Sequence, residues 1–212
     1  VALQSGHSVS ITGHVVAGYI GTGFLSNVDN MDIKVDLGLI EIEAVNANSI
    51  KAHTGLGLIN AMAIWSHNTA DFSVDTGSIY ASSISTTEFT AKAHYGATYN
   101  RDISADKASA HTTFGYSTLL RPNHFTAATN QEVSVSAHYG KAVASTEQIY
   151  DIAFQLGNMK GDVVMKYESE CALEDETNNS LQGTCSLNLL DSASSEISVS
   201  VCYGNALLLQ NN

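Results

Sequence analysis

Met31, Ile33, Val35, Leu37 and Leu39 alternate with Asp32, Lys34, Asp36 and Gly38. A period of two is what a pleated strand with one dry face and one wet face requires. The rhythm recurs in Val9, Ile11, Gly13 and Val15, in Ile50 through Leu58, and in Phe89, Ala91, Ala93 and Tyr95. It continues in Ala110, Thr112, Phe114 and Tyr116, in Val133, Val135, Ala137 and Tyr139, and in Tyr150, Ile152, Phe154 and Leu156. Further runs are Val163, Met165 and Tyr167, then Cys185, Leu187 and Leu189, then Ile197, Val199, Val201 and Tyr203. Two stretches also fit a helix. Leu58, Met62 and Trp65 would share a helical face, and Ser145 or Thr146 would cap a helix ending at Gly157, but in the second of these strict alternation favours strand.

At typical strand lengths these runs predict about ten to fourteen strands. The single proline, Pro122, falls between two of them. Asn158 to Asp162 reads as a hairpin connection, so the expected fold is all-β: an antiparallel, strongly curved sheet or barrel. No Pro-rich, Gly/Ser-rich or charge-block segment divides the 212 residues, which are read as a single domain, 1–212.

A short pattern recurs as Lys51-Ala52-His53, as Lys92-Ala93-His94-Tyr95-Gly96 and as Ser134-Val135-Ser136-Ala137-His138-Tyr139-Gly140. Its fourth copy is Ser198-Val199-Ser200-Val201-Cys202-Tyr203-Gly204. The intervals between copies are unequal, which argues against a solenoid of fixed period. The pattern instead reads as one strand type used repeatedly, with histidine outward and Tyr-Gly at the strand end. His53, His94 and His138 would then stand side by side in a row across the sheet.

The charge is −12, from 9 Lys and Arg against 21 Asp and Glu. This balance excludes a phosphate-tracking nucleic-acid surface, and no apolar run is long enough to span a membrane as a helix. The first residue is Val1, and its surroundings lack the layout of a signal peptide, so the chain reads as processed and its location as extracellular. Of the three cysteines, Cys171 and Cys185 would face each other if a hairpin turns around Asn178, and could form a disulfide. Cys202 would be a free thiol or an intermolecular bridge. The eight histidines show no compact metal-ligand spacing, and no nucleophile elbow or phosphate loop is present, so neither enzyme nor metal site is expected. The carboxylates from Glu168 to Glu176 lack the order of a calcium loop.

The stretches Asn27 to Leu37 and Tyr150 to Leu156 resemble the amphipathic β-sheet regions of large lipid transfer proteins, the vitellogenin and apolipoprotein B class. That resemblance implies a processed fragment that carries an apolar small molecule, a lipid or a carotenoid, inside a β cavity. His53, His94 and His138 would supply the polar contacts, with Trp65, Tyr95 and Tyr139 as aromatic walls. The competing expectation is a structural subunit of an extracellular fibre or coat, assembled by strand pairing as a homo- or hetero-oligomer.

Overall fold

The computed structural model describes residues 8–122, 132–146, 152–160, 163–166, 171–177, 180–185 and 195–210. Their regular structure is all β: β1 (Val9–Thr22), β2 (Leu25–Pro122), β3 (Glu132–Thr146), β4 (Ile152–Lys160), β5 (Val163–Lys166), β6 (Cys171–Thr177), β7 (Ser180–Cys185) and β8 (Ser195–Gln210).

β2 determines the architecture. Drawn out straight, its 98 residues would span roughly 320 Å. They do not, because Gly38, Gly57, Gly77, Gly96 and Gly115 stack: a Cβ on each of the last four would strike the carbonyl oxygen of the glycine before it. The chain therefore winds back on itself, closing one rung every 19 or 20 residues. β1 lies parallel on the first rung, with Gly18 against Gly38. The last rung of β2 lies parallel on β3, with Gly115 against Gly140, and β3 lies parallel on β8, with Gly140 against Gly204. The result is a parallel β-solenoid, in which each rung contacts only its neighbours.

Two stacked corners shape the four rungs that start at Gly38, Gly57, Gly77 and Gly96. At the first stand the glycines, with φ between +138° and +153°, and their carbonyl-on-Cα approach leaves no room for any side chain. The second follows six residues later at Ala44, Ala63, Ser83 and Asp102, all near φ +50°. Between corners the alternation is regular, and inward residues form columns along the solenoid axis. Ile40, Ile59 and Ile79 stand two residues after their glycines, and Val45, Ile64, Ile84 and Ile103 seven after; all are buried. Large residues are matched with small ones. Phe72 sits in a column between Ala52 and Ala91, Phe89 in the next between Ala70 and Ala108, and the two rings meet edge to face at 6.0 Å. Among the described rungs such filling packs the section with side chains, as in an ordinary close-packed interior.

Toward the later rungs the interior becomes partly polar. Buried Thr98 and Ser117 replace isoleucine in their column and hydrogen-bond each other at 2.9 Å, while Asn100 Nδ2 donates to the carbonyl of Thr118 at 2.7 Å. These pairings offset part of the cost of burying polar groups, although Asn100 Oδ1 is buried without a partner.

The chain then departs from sequential winding. β4 and β5 both pair in parallel with β8, Lys160 opposite Tyr203 and Val163 opposite Ala206, so the C-terminal strand is inserted between β3 and the segments that precede it. β7 pairs antiparallel with β4, and β6 with β7, to finish that end of the sheet.

Several expectations are corrected by this arrangement. The fold is all-β, but its main pairing is parallel, and neither an antiparallel curved sheet nor a barrel of ten to fourteen strands is formed. Half-buried strands arise here without antiparallel neighbours because one face of each rung lines the solenoid core and the other is wet. Asn158 to Asp162 is not a hairpin connection, since the chain on both sides of it runs parallel to β8. Leu56 to Trp65 is strand within β2. The alternating run at Leu187 and Leu189 lies outside the described residues. Cys202 is a free thiol, and Cys171 and Cys185 are directly opposed in backbone register where β6 pairs with β7. Among the described rungs the inward columns are filled by side chains, which gives no support to the expected lipid or carotenoid cavity. No helix among the described residues is long and apolar enough to cross a membrane.

Candidate functional site

The outward columns that precede the glycine corner gather most of the residues singled out in the sequence. One residue before the glycine stand Tyr95, Phe114, Tyr139 and Tyr203, each partly exposed. Their rings stack at 4.9, 5.0 and 4.9 Å with planes within 6° of parallel. The spacing is that of neighbouring strands, so the solenoid itself sets the ladder. Leu37 and Leu56 extend the same column over earlier rungs and are about half exposed.

Stacking decides what this ladder can do. Each inner ring has both faces covered by its neighbours, and only edges reach solvent. A sugar or base that needs an open aromatic face finds none within the row.

Beside the rings, two residues before the glycine, run His94, Thr113, His138 and Cys202. His94 Nδ1 shares a hydrogen bond with Thr113 Oγ1 at 3.1 Å, and its ring stands edge-on to Tyr95 at 4.4 Å. His138 makes the same contact with Tyr139 at 4.6 Å. His53 does not join them. It lies four residues before Gly57, one column over, where its Nδ1 meets Ser73 Oγ at 3.0 Å. The expected row of three histidines is thus a pair, separated by the rung of Thr113, plus an outlier. Trp65 is 51% exposed and stands beyond the second corner, away from Tyr95 and Tyr139.

His111, which sequence reasoning passed over, occupies the column of His53 and shares a hydrogen bond with Ser136 Oγ at 2.7 Å. Burial, with smaller effects from Lys92 and His138, holds its imidazole below the ordinary range. On the first rungs the outward groups form ion pairs: Asp36 meets Lys34 at 3.1 Å and His14 at 3.0 Å. Hydrogen bonding to Lys34 first and His14 second holds the Asp36 carboxyl below its usual value. A fixed column offset would have revealed these partners in the sequence.

One constellation has the parts of acyl transfer. His53 lies between Ser73 and Asp75, the latter at 3.8 Å from Nε2. That distance is beyond hydrogen-bond reach. Catalysis of that kind also needs donors aimed at a developing oxyanion, whereas backbone amides inside a sheet are already committed to the neighbouring strand. No group of three metal-ligating side chains occurs among the described residues.

A surface cleft of about 360 Å³ lies at another part of the rung between Ser8, Asn27, Asp29, Asn46, Asn48 and His67. Asp29 there accepts from Ser8 Oγ at 2.7 Å and from Asn48 Nδ2 at 2.9 Å. Its polar lining is unsuited to a lipid or polyene. A smaller cleft of about 170 Å³ runs past Glu88, Lys107 and Glu132, where Lys107 and Glu132 pair at 2.9 Å.

Comparison with protein-family models, with curated proteins and with solved structures found no match for the chain.

Proposed function

We propose that this protein is a non-catalytic structural module: a stiff solenoid that serves as a building block and assembles through its strand edges. The observation that carries this reading is where the repeated outward residues spend their contacts. Rings stack on rings, His94 bonds Thr113, His111 bonds Ser136 and His53 bonds Ser73. Each repeated group serves the next rung and leaves little free for a ligand.

Inside, columns of Ile, Val, Ala and Phe fill the section, which favours a scaffold over a carrier. Eight stacked glycines among the described residues mark eight rungs, a stack roughly 35–40 Å long at the usual strand spacing, which β4, β7 and β6 extend further. Parallel ladders of this kind resist bending because every rung is hydrogen-bonded along its length.

The test is native mass spectrometry and solvent extraction of the purified protein, alongside small-angle scattering over a concentration series. A guest-free chain with a rod-like profile that assembles as concentration rises supports a building block. A stoichiometric apolar guest on a monomer of fixed size would replace this reading with carriage.

A further inference from the structure

Ahead of the glycine corner every second residue points outward, so neighbouring rungs set these side chains on a grid of roughly 4.8 Å by 6.7 Å. On the rungs that reach Gly96, Gly115 and Gly140, His111 occupies the centre of a field with three outward positions per rung. Lys92 and Ser136 flank it in its own column, His94 and His138 stand at two diagonals, and every other position is Ser or Thr. None of these residues is buried. The field holds no carboxylate, in a chain of charge −12. On the rungs of Gly38, Gly57 and Gly77 the same columns hold Asp32, Asp36, Asp71 and Asp75.

The groups of this field have bonding capacity to spare. His94 and His111 each engage a neighbouring hydroxyl through Nδ1, which leaves Nε2 without a partner among the described residues. Lys34, Arg101 and Lys107 pair with carboxylates, whereas Lys92 has no such partner among the described residues. Tyr95, Phe114 and Tyr139 border the field, their faces covered by stacking and their electropositive edges left uncovered. On one side β8 adds Ser198, Ser200 and Cys202 in register. The carboxylates that adjoin the field are Asp71 and Asp75 on the rung before, and Glu88 and Glu132 one outward position further from the glycine. Glu132 already pairs with Lys107 at 2.9 Å.

We infer that this field binds an acidic polysaccharide that alternates carboxylated and neutral sugars, laid along the solenoid axis. Lys92 and protonated imidazoles donate to the carboxylates, and the Ser and Thr hydroxyls exchange hydrogen bonds with the sugar hydroxyls. The ratio of cations to hydroxyls selects this class. One lysine and three titratable histidines are too few for a nucleic acid or a densely sulfated chain, which is held by neutralising many closely spaced charges. His94 and His138 share a column with Thr113 between them, so positive charge recurs every second rung, roughly 9–10 Å apart, as carboxylates do along an alternating glycan. Affinity must follow pH. The imidazoles charge as pH falls through about 6.5, Lys92 stays charged throughout, and a sugar carboxylate stays ionised down to about pH 4. Burial, then Lys92 and His138, moves the charging of His111 to lower pH. The contact uses side chains on the flank of the solenoid rather than strand edges, so it adds a partner to the structural module and is independent of its assembly.

Calorimetric titration of the full chain with hyaluronan oligosaccharides tests this. Binding should be about tenfold or more tighter near pH 5.5 than near pH 8, and absent when the sugar carboxyls are reduced to alcohols. Lys92→Gln with His138→Gln should raise the dissociation constant about tenfold or more near pH 5.5, while Lys51→Gln, on the aspartate-bearing rungs, should leave it unchanged. Lys92→Gln alone serves if the double variant loses its β-sheet circular dichroism. In the wild type the imidazole proton resonances of His94, His111 and His138 should shift on titration, and those of His14 and His67 should not. No binding at either pH, binding indifferent to the carboxyls or to Lys92 and His138, or tighter binding of heparin or DNA fragments of matched length would overturn the inference. Each of these outcomes would leave the structural reading standing.

Discussion

Tyr139 and Tyr203 stack at 4.9 Å with ring planes 6° apart, although the chain between them traverses β4, β5, β6 and β7. Their contact marks the place where β8 inserts against β3. Stacked aromatic pairs contribute about 0.5–1.5 kcal/mol beyond the area they bury. Tyr139 touches a ring on each side, Phe114 and Tyr203, so Tyr139→Ala should cost about 1–3 kcal/mol from stacking alone, and Tyr139→Phe much less. A double-mutant cycle of Tyr139→Ala and Tyr203→Ala, read by denaturant unfolding, should return a coupling of about 0.5–1.5 kcal/mol. Additive effects would mean that the rings do not touch.

The two corners predict substitutions of opposite sign. Gly77→Ala places a Cβ on the carbonyl of Gly57 at φ +139°, and should destabilise by more than about 4 kcal/mol or prevent folding. Ala63 already adopts φ +52° with a Cβ, a conformation glycine enters without the steric penalty. Ala63→Gly should therefore be neutral or stabilising by up to about 1 kcal/mol. Thermal melts of the two variants decide the matter.

Thr54 and Thr112 are fully buried, and their hydroxyls have no hydrogen-bond partner. Both occupy the column three residues before the glycine, where Val35, Val74 and Val201 stand on other rungs. Thr54→Val keeps the shape and removes the stranded hydroxyl, for an expected gain of about 1–3 kcal/mol. The melting temperature should rise by about 2–4 °C per kcal/mol for a chain of this size.

Acid should weaken the fold in two windows. His111 binds its proton less readily when folded than when unfolded, because it is partly buried beside Lys92 and His138. The unfolded chain takes up that proton first as pH falls, so the contribution of His111 is complete above about pH 6.5 and declines below it. Asp36 is depressed by Lys34 and His14; its contribution is present above the ordinary carboxylate value and is lost as pH falls through its lower folded value. Urea midpoints at neutral pH and near pH 5 should differ, and His111→Gln should narrow the difference. An equal difference in the variant would assign the first window to other groups.

The alternation in the sequence located the inward faces ahead of the glycine corner, where Met31, Ile33, Val35, Val133, Val135 and Ala137 are buried, but it fails at the corner itself, where Leu37, Tyr95, Phe114, Tyr139 and Tyr203 continue the same runs and are exposed. What it could not supply is strand direction, since a wet-and-dry strand looks the same in a barrel wall and in a solenoid rung. The period itself was present in Gly18, Gly38, Gly57, Gly77, Gly96 and Gly115, at intervals of 20, 19, 20, 19 and 19 residues. It was obscured because the eye follows His-Tyr-Gly, which occurs only on some rungs. His53 compounds this, being two residues out of register with His94. Beyond Gly115 the interval to the next stacked glycine, Gly140, is longer, and the inserted β8 places Gly204 directly after Gly140 in the stack. Such long-range order leaves no local trace. The histidine and tyrosine candidates were found because they recur, and they recur because each rung needs the same contacts with the next.

Nuclear Overhauser spectroscopy of the labelled chain tests the parallel solenoid most directly. Val135 and Val199 are register partners in β3 and β8; parallel pairing predicts amide-to-Hα contacts between these strands, and contacts linking Gly57, Gly77 and Gly96 in series. Strong Hα-to-Hα contacts between facing strands, with no signals joining those glycines, would show an antiparallel sheet and contradict the account.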